Sequence, residues 1–222
     1  MRASTVPSVA ESIARVRHFG ILPVVEISAV EHALPLFEAL SAGGLPVAEV
    51  TMRTPVALEA VSVLTRAHPD AFIGVGTVRT EQDAARALDA GARFVVSPGT
   101  SAEVVRLCNE RGTLVMPGTC TPTEVQAALA AGAQLLKFFP AEASGGVGFL
   151  KALAGPFRDV SFVPTGGVNA ANLAGYLALP QVAACGGSWM VAHRLLADGD
   201  FEQVRALTAE AVQVVAEARR RG

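Results

Sequence analysis

Short apolar runs alternate along this chain with segments of helical period. Runs of strand length occupy Ile21–Ile27, Ala48–Met52, Phe72–Thr77, Arg93–Ser97, Thr113–Met116, Gln134–Phe139, Ser161–Thr165 and Val182–Gly186. Their starts fall 20 to 27 residues apart. Between them lie segments such as EQDAARALDAGA and AEVVRLCNERG, whose apolar positions recur at helical spacing. Helix starts are marked. Thr121-Pro122-Thr123-Glu124 reads as a capping box with Pro at the first helical position, and Thr100 with Glu103 offers another. Gly91, Gly112 and Gly132 mark helix ends.

The stretches ALSAGGLPVAEVTM, ALDAGARFVVSPG and ALAAGAQLLKFFP repeat one pattern: a small-residue helix end, a Gly turn, then a buried strand. A period of one helix plus one strand is the mark of repeated βα units and a parallel sheet. Eight units in about 200 residues predict an α/β fold closed as a (β/α)8 TIM barrel. The alternative, a doubly wound open sheet, carries a Gly-rich turn after its first strand; here that strand runs into VVEISAVEH. No linker-like stretch divides residues 1–222, so a single domain is expected. Ser8–Phe19 is expected to add an N-terminal helix closing the barrel bottom.

Composition narrows the function. The chain is 51% hydrophobic and 17% charged with a net charge of −2. It can bury a large core, and it lacks the basic balance of a nucleic-acid or membrane-surface binder. No signal-peptide stretch opens MRASTVPSVAES, and no apolar run reaches the ~18 residues of a membrane span. A soluble, cytoplasmic protein is expected. Cys108, Cys120 and Cys185 are scattered, with no CxxC, and read as small buried hydrophobes. His18, His32, His68 and His193 form no ligand pattern. The cations are nearly all Arg; only Lys137 and Lys151 are lysines.

In a barrel the chemistry lies at the C-terminal strand ends. Lys137 sits inside the apolar strand QLLKFFP, on one face with Leu135 and Phe139. Burial there penalises the ammonium form, and the neutral amine is the species that attacks a carbonyl to form an imine. The competing reading is a structural Lys–carboxylate pair. Glu49, Thr51 and Arg53 share a parity at the end of strand two. Glu49 is placed to relay protons and Arg53 to grip a substrate carboxylate, unless the two simply pair with each other. Thr77 ends strand three, where Gly74 and Gly76 leave room for backbone or substrate. Pro98 follows strand four as a pocket wall or merely a turn. After strand seven come Thr165, Gly166 and Gly167, and after strand eight Gly186, Gly187 and Ser188. Paired Gly-Gly turns at these adjacent ends point to a phosphate site, with two ligand-free tight turns as the alternative. Trp189 and Tyr176 read as packing residues, and Lys151 as a solvated helix residue.

These residues lie in the blocks ILPVVEI, EVTMRTP, IGVGTV, FVVSPG, PGTCTPTE, LLKFFPAE, PTGGV and CGGSWM, in order from about residue 20 to 190. Together they resemble the 2-keto-3-deoxy-6-phosphogluconate (KDPG) aldolases, the group that also acts on 4-hydroxy-2-oxoglutarate (KHG). The resemblance implies a class I aldolase on a (β/α)8 fold, usually a homotrimer, that needs no metal or other cofactor. It makes Lys137 the Schiff-base lysine and Glu49 the proton-transfer residue. Arg53 and Thr77 become binders of the pyruvate-end carboxylate. Pro98, Phe139 and Thr165 line the keto-acid pocket, and Gly166, Gly167, Gly186, Gly187 and Ser188 hold the phosphate end of a keto-acid phosphate. Cys120, in PGTCTPTE, is given no role.

Three rivals remain at this level. A metal-dependent barrel enzyme requires clustered His and carboxylate ligands, which the strand ends lack. A Schiff-base aldolase for the galactonate-derived epimer, or for a substrate without phosphate, differs only in partner and stereochemistry. A non-catalytic sugar-phosphate-binding barrel shares the scaffold, because fold does not imply catalysis.

Overall fold

The computed structural model describes residues 7–221. Nine strand segments run β1 (Ile21–Val25), β2 (Val47–Thr51), β3 (Phe72–Gly76), β4 (Phe94–Val96), β5 (Leu114–Met116), β6 (Gly118–Thr119), β7 (Leu136–Phe138), β8 (Phe162–Pro164) and β9 (Cys185–Gly187). The helices are α1 (Val9–Phe19), α2 (Ala33–Ala42), α3 (Ala57–Ala67), α4 (Glu81–Asp89), α5 (Ala102–Glu110), α6 (Pro122–Ala130), α7 (Gly146–Ala154), α8 (Leu173–Leu177), α9 (His193–Ala197) and α10 (Phe201–Arg221). The result is an α/β fold built on a curled sheet of parallel strands.

Six strands form one sheet in the order β5-β4-β3-β2-β1-β9, and β6-β7-β8 form another. Every pairing is parallel. Pro117 alone separates β5 from β6, and its carbonyl accepts from Lys137 N at 2.9 Å. Isolated bridges join Phe162 to Val182 and Thr165 to Gly186. The central strands are buried along their whole length: every residue of β2 and β3 is buried. Helices over one face and packed side chains on the other explain why these strands read as continuous apolar runs.

Glycines in this layer make room for neighbours' side chains. A Cβ on Gly74 would lie 2.2 Å from the Phe94 ring, which sits across the β3–β4 ladder from it. A Cβ on Gly76 would lie 2.2 Å from Glu49 Oε1. The space at both glycines is therefore taken by the protein's own side chains rather than left for backbone or substrate.

The expected helix caps are present, with one shift. Thr121 and Glu124 form a capping box at α6. Gly91, Gly112 and Gly132 follow their helices with φ of 96°, 65° and 94°. At α5 the cap is Ser101, whose Oγ accepts from Val104 N, because the Thr100 hydroxyl is engaged with the carbonyl of Gly118. Ser8 caps α1 in a capping box with Glu11, and Gly20 ends that helix in the left-handed region. Arg15 of α1 lies 4.6 Å from the ring of Phe72, the first residue of β3. Arg17 donates to Ser161, just before β8. The helix thus lies against the N-terminal strand ends.

Several predicted strands stop one or two residues early. Ile27, Met52, Thr77, Ser97, Phe139 and Thr165 all lie just past the C-terminal end of their strand. Met52, Ser97, Phe139 and Thr165 each still donate one backbone bond to a neighbouring strand, so pairing tapers off there rather than continuing as a full ladder. Among the described residues, no helix is long and apolar enough to cross a membrane.

Candidate active site

The C-terminal strand ends surround a cavity of about 550 Å³. Lys137, Arg53, Phe139, Thr165, Gly166, Gly167, Gly186, Gly187 and Ser188 all line it. Nine of the residues singled out in the sequence therefore share one wall-to-wall space.

Lys137 is the central residue of β7, in register with Gly118 of β6 and Val163 of β8. It is 6% exposed, and Glu49 is 2% exposed. Lys137 Nζ and Glu49 Oε1 are 3.9 Å apart. That distance allows electrostatic attraction without a direct hydrogen bond. Glu49 Oε1 is buried and hydrogen-bonded to no protein group. Lys137 Nζ also lies 4.9 Å from the centroid of the Phe139 ring, whose face favours a cation. A locked structural pair would bring amine and carboxylate into close, fully hydrogen-bonded contact. Here each keeps bonding capacity for a third party.

Arg53 does not pair with Glu49. Its Nη1 lies 3.6 Å from Glu26 Oε2, and both side chains are about half exposed at the cavity. An exposed pair of this kind is weak and easily opened by a carboxylate ligand.

Gly166 and Gly167 adopt φ of 98° and 81°, a conformation open to glycine and strained for other residues. Thr165 is buried and bridges to Gly186 across the β8–β9 gap. A Cβ on Gly186 would meet Thr165 Oγ1 at 2.4 Å, and one on Gly187 would meet the Trp189 ring at 2.0 Å. The helices after these turns are short: α8 has five residues, and a three-residue 3-10 turn spans Trp189–Val191. An anion here would rest on the glycine turns far more than on a long helix dipole.

Of the expected residues, Glu49, Thr77 and Pro98 do not line this cavity, and Glu49 lies 3.9 Å from Lys137, which does. Thr77 lines a separate cleft of about 240 Å³ with Met52, Thr54 and Arg79. It has φ 63°, alone among the described non-glycine residues in being positive. Such backbone strain, roughly 1–2 kcal/mol, persists where surrounding structure enforces it. Pro98 is exposed, and its carbonyl lies against Gly118, where a Cβ would approach it to 2.1 Å.

The cavity also recruits residues given no site role from sequence. Glu26, Trp189 and His193 line it, and His193 Nε2 sits 3.3 Å from Ser28 Oγ. Glu26 was legible in principle, as a carboxylate at the end of the first strand. Trp189 and His193 depend on how the chain turns after β9. Cys108 and Cys185 are buried, and burial pushes the Cys108 thiol up to about 12. Cys120 is half-buried, its Sγ 3.1 Å from Ser144 Oγ. Among the described residues, no three His, Cys, Asp or Glu side chains are grouped to hold a metal ion.

Comparison with known proteins finds relatives over most of the chain. The family model for KDPG and KHG aldolases matches residues 12–207. A 2-dehydro-3-deoxy-phosphogluconate aldolase of Treponema pallidum is 47% identical over 92% of this chain and 96% of its own length. The KHG/KDPG aldolase of Escherichia coli is 42% identical over 87% of this chain and 91% of its own. A KDPG aldolase of Legionella pneumophila, solved with pyruvate captured as a covalent carbinolamine intermediate, superposes with a TM-score of 0.86. It is 41% identical, covering 89% of this chain and 96% of that one.

Proposed function

This chain belongs to the KDPG and KHG aldolase family, and from that premise we propose that it cleaves KDPG reversibly to pyruvate and glyceraldehyde 3-phosphate through an imine on Lys137. Cleavage of KHG to pyruvate and glyoxylate follows the same course. The observation that carries the reading is a buried lysine 3.9 Å from a buried carboxylate that has no hydrogen-bond partner on Oε1.

The neutral Lys137 amine adds to the C2 ketone to give a carbinolamine, and loss of water leaves an iminium. The cationic iminium draws the C3–C4 bonding electrons toward nitrogen. Glu49, acting through a water, accepts the C4 hydroxyl proton as that bond breaks and the aldehyde leaves. The remaining enamine of pyruvate is protonated at C3, and water hydrolyses the imine to release pyruvate and the free amine. Splitting the reaction into covalent steps lowers each barrier. Arg53 grips the pyruvate-end carboxylate by exchanging Glu26 for substrate. Phe139 and Thr165 bound the keto-acid end. Gly166, Gly167, Gly186, Gly187 and Ser188 receive the phosphate.

The same reading extends to architecture. One domain closes as an eight-stranded (β/α)8 barrel, with β5 and β6 as one strand interrupted at Pro117 and the Phe162–Val182 and Thr165–Gly186 bridges as its seam. Helix α1 covers the bottom. The working form is a cytoplasmic homotrimer, which sedimentation equilibrium supports at three times the 22.9 kDa chain mass and contradicts at the monomer mass.

Lys137→Arg tests the chemistry, because it keeps a cation and removes the nucleophile. Turnover of KDPG, followed by pyruvate release, is expected to fall by at least about a thousandfold. Retention of near-normal turnover would falsify the imine mechanism.

A further inference from the structure

Behind the Gly166–Gly167 turn lies a polar network that does not line the main cavity. Tyr176 is fully buried, and its hydroxyl donates to the Glu142 carboxylate. Burial, and then the bond to Glu142, push that hydroxyl above the ordinary phenol range, so it remains a donor throughout the neutral range. Glu142 in turn holds the turn in two ways. Its backbone N–H donates to the Gly166 carbonyl at 3.0 Å. Its Cβ and Cγ fill the space beside Gly167, where an added Cβ would meet them at 2.6 Å.

The other side of the turn is held by two amides. The Gly167 carbonyl accepts from Asn169 Nδ2 at 3.2 Å and from Asn172 Nδ2 at 3.1 Å. Asn172 is itself oriented, because its Oδ1 accepts from Asn169 N at 2.8 Å. Two successive left-handed glycines are intrinsically the most mobile pair a chain can contain. Without external restraint, such a turn pays ordering entropy each time an anion binds. Restraint built into the fold removes that cost in advance.

We infer that Glu142, Tyr176, Asn169 and Asn172 are positioning residues that pre-set the Gly166–Gly167 turn for the substrate's phosphate, and that they set the preference for phosphorylated over unphosphorylated keto acids. The inference rests on the aldolase reading above. KDPG carries its phosphate on C6, whereas KHG ends at C5 and has none. The network therefore acts on one substrate and not on the other.

The test compares KDPG with KHG in Tyr176→Phe and Asn172→Ala. Tyr176→Phe removes one oxygen from a buried ring and keeps its volume, and thermal melting checks that both variants fold. Tyr176→Phe, which removes a hydrogen bond to a carboxylate, is expected to raise KM for KDPG by about tenfold, and Asn172→Ala, which removes a neutral amide–carbonyl bond, by about fivefold. For KHG, KM and kcat are expected to stay within roughly twofold. Equal changes with both substrates, or no change with KDPG, overturn the inference. Borohydride trapping of pyruvate by the wild-type protein separates the two levels of argument. A normal adduct with undiscriminating variants sinks the network's role alone; no wild-type adduct sinks the aldolase reading and this inference with it.

Discussion

At the scale of single residues, the Glu49 carboxylate occupies the volume that a side chain at residue 76 would take. The predicted consequence is specific. In Gly76→Ala the new methyl must displace the buried Glu49 side chain, whose Oε1 would otherwise lie 2.2 Å from it. The base would then sit about 1 Å or more from its place, a displacement that can cost on the order of a hundredfold in turnover. Steady-state kinetics should show a large fall in kcat, and an unaltered kcat would remove Glu49 placement from the account. The two glycines at 74 and 76 were visible in the sequence, but their purpose was not. A glycine announces that something approaches closely, and only the tertiary structure says whether it is substrate, the Phe94 ring or the Glu49 carboxylate. Lys137 was legible for a different reason: a charged residue inside an apolar strand contradicts its surroundings, and that contradiction survives without coordinates. Glu142 and Tyr176 gave no such signal, since they lie 34 residues apart and each is unremarkable in its own segment.

Elements were legible where local chemistry decides them. The α6 start is the clearest case. Thr121 Oγ1 accepts from Glu124 N, and Glu124 returns bonds from the backbone of Cys120 and Thr121. The Cys120 N–H, first among these, holds the Glu124 carboxyl below the usual carboxylate range, with a partial opposing push from burial. A depressed folded-state value means that Glu124 stabilises the helix above its unfolded-state titration and loses that contribution as pH falls through the folded one. Thr121→Ala should lower stability by about 1 kcal/mol, the ordinary worth of such a cap. Urea unfolding at neutral pH measures it, and a change near zero would mean that the tertiary contacts of α6 carry the helix start alone. At α5 the same local rule chose the wrong residue: Thr100 was the expected cap, yet Ser101 holds the position because Thr100 reaches across to Gly118. Strand ends were overextended for a related reason. Apolarity continues past the last strand residue at Ile27, Phe139 and Met52, and the hydropathy pattern cannot register where regular pairing stops.

For the whole molecule, the βα period was readable because each unit repeats the same helix end, turn and buried strand. β9 pairs beside β1, and residues at or just past the ends of β2, β7, β8 and β9 meet at one cavity. Segments about 90 residues apart in sequence thereby bring Glu49 and Lys137 to 3.9 Å. Thr77 and Pro98 share the strand-end position of their neighbours yet do not line the main cavity, a difference that strand position alone does not reveal. The central claim, an imine on Lys137, is tested most directly by reducing the protein with borohydride in the presence of pyruvate and mapping the product by peptide mass analysis. The account predicts a stable adduct on the peptide carrying Lys137, absent in Lys137→Arg. Pyruvate bound but unreduced, or an adduct on Lys151 alone, would contradict it.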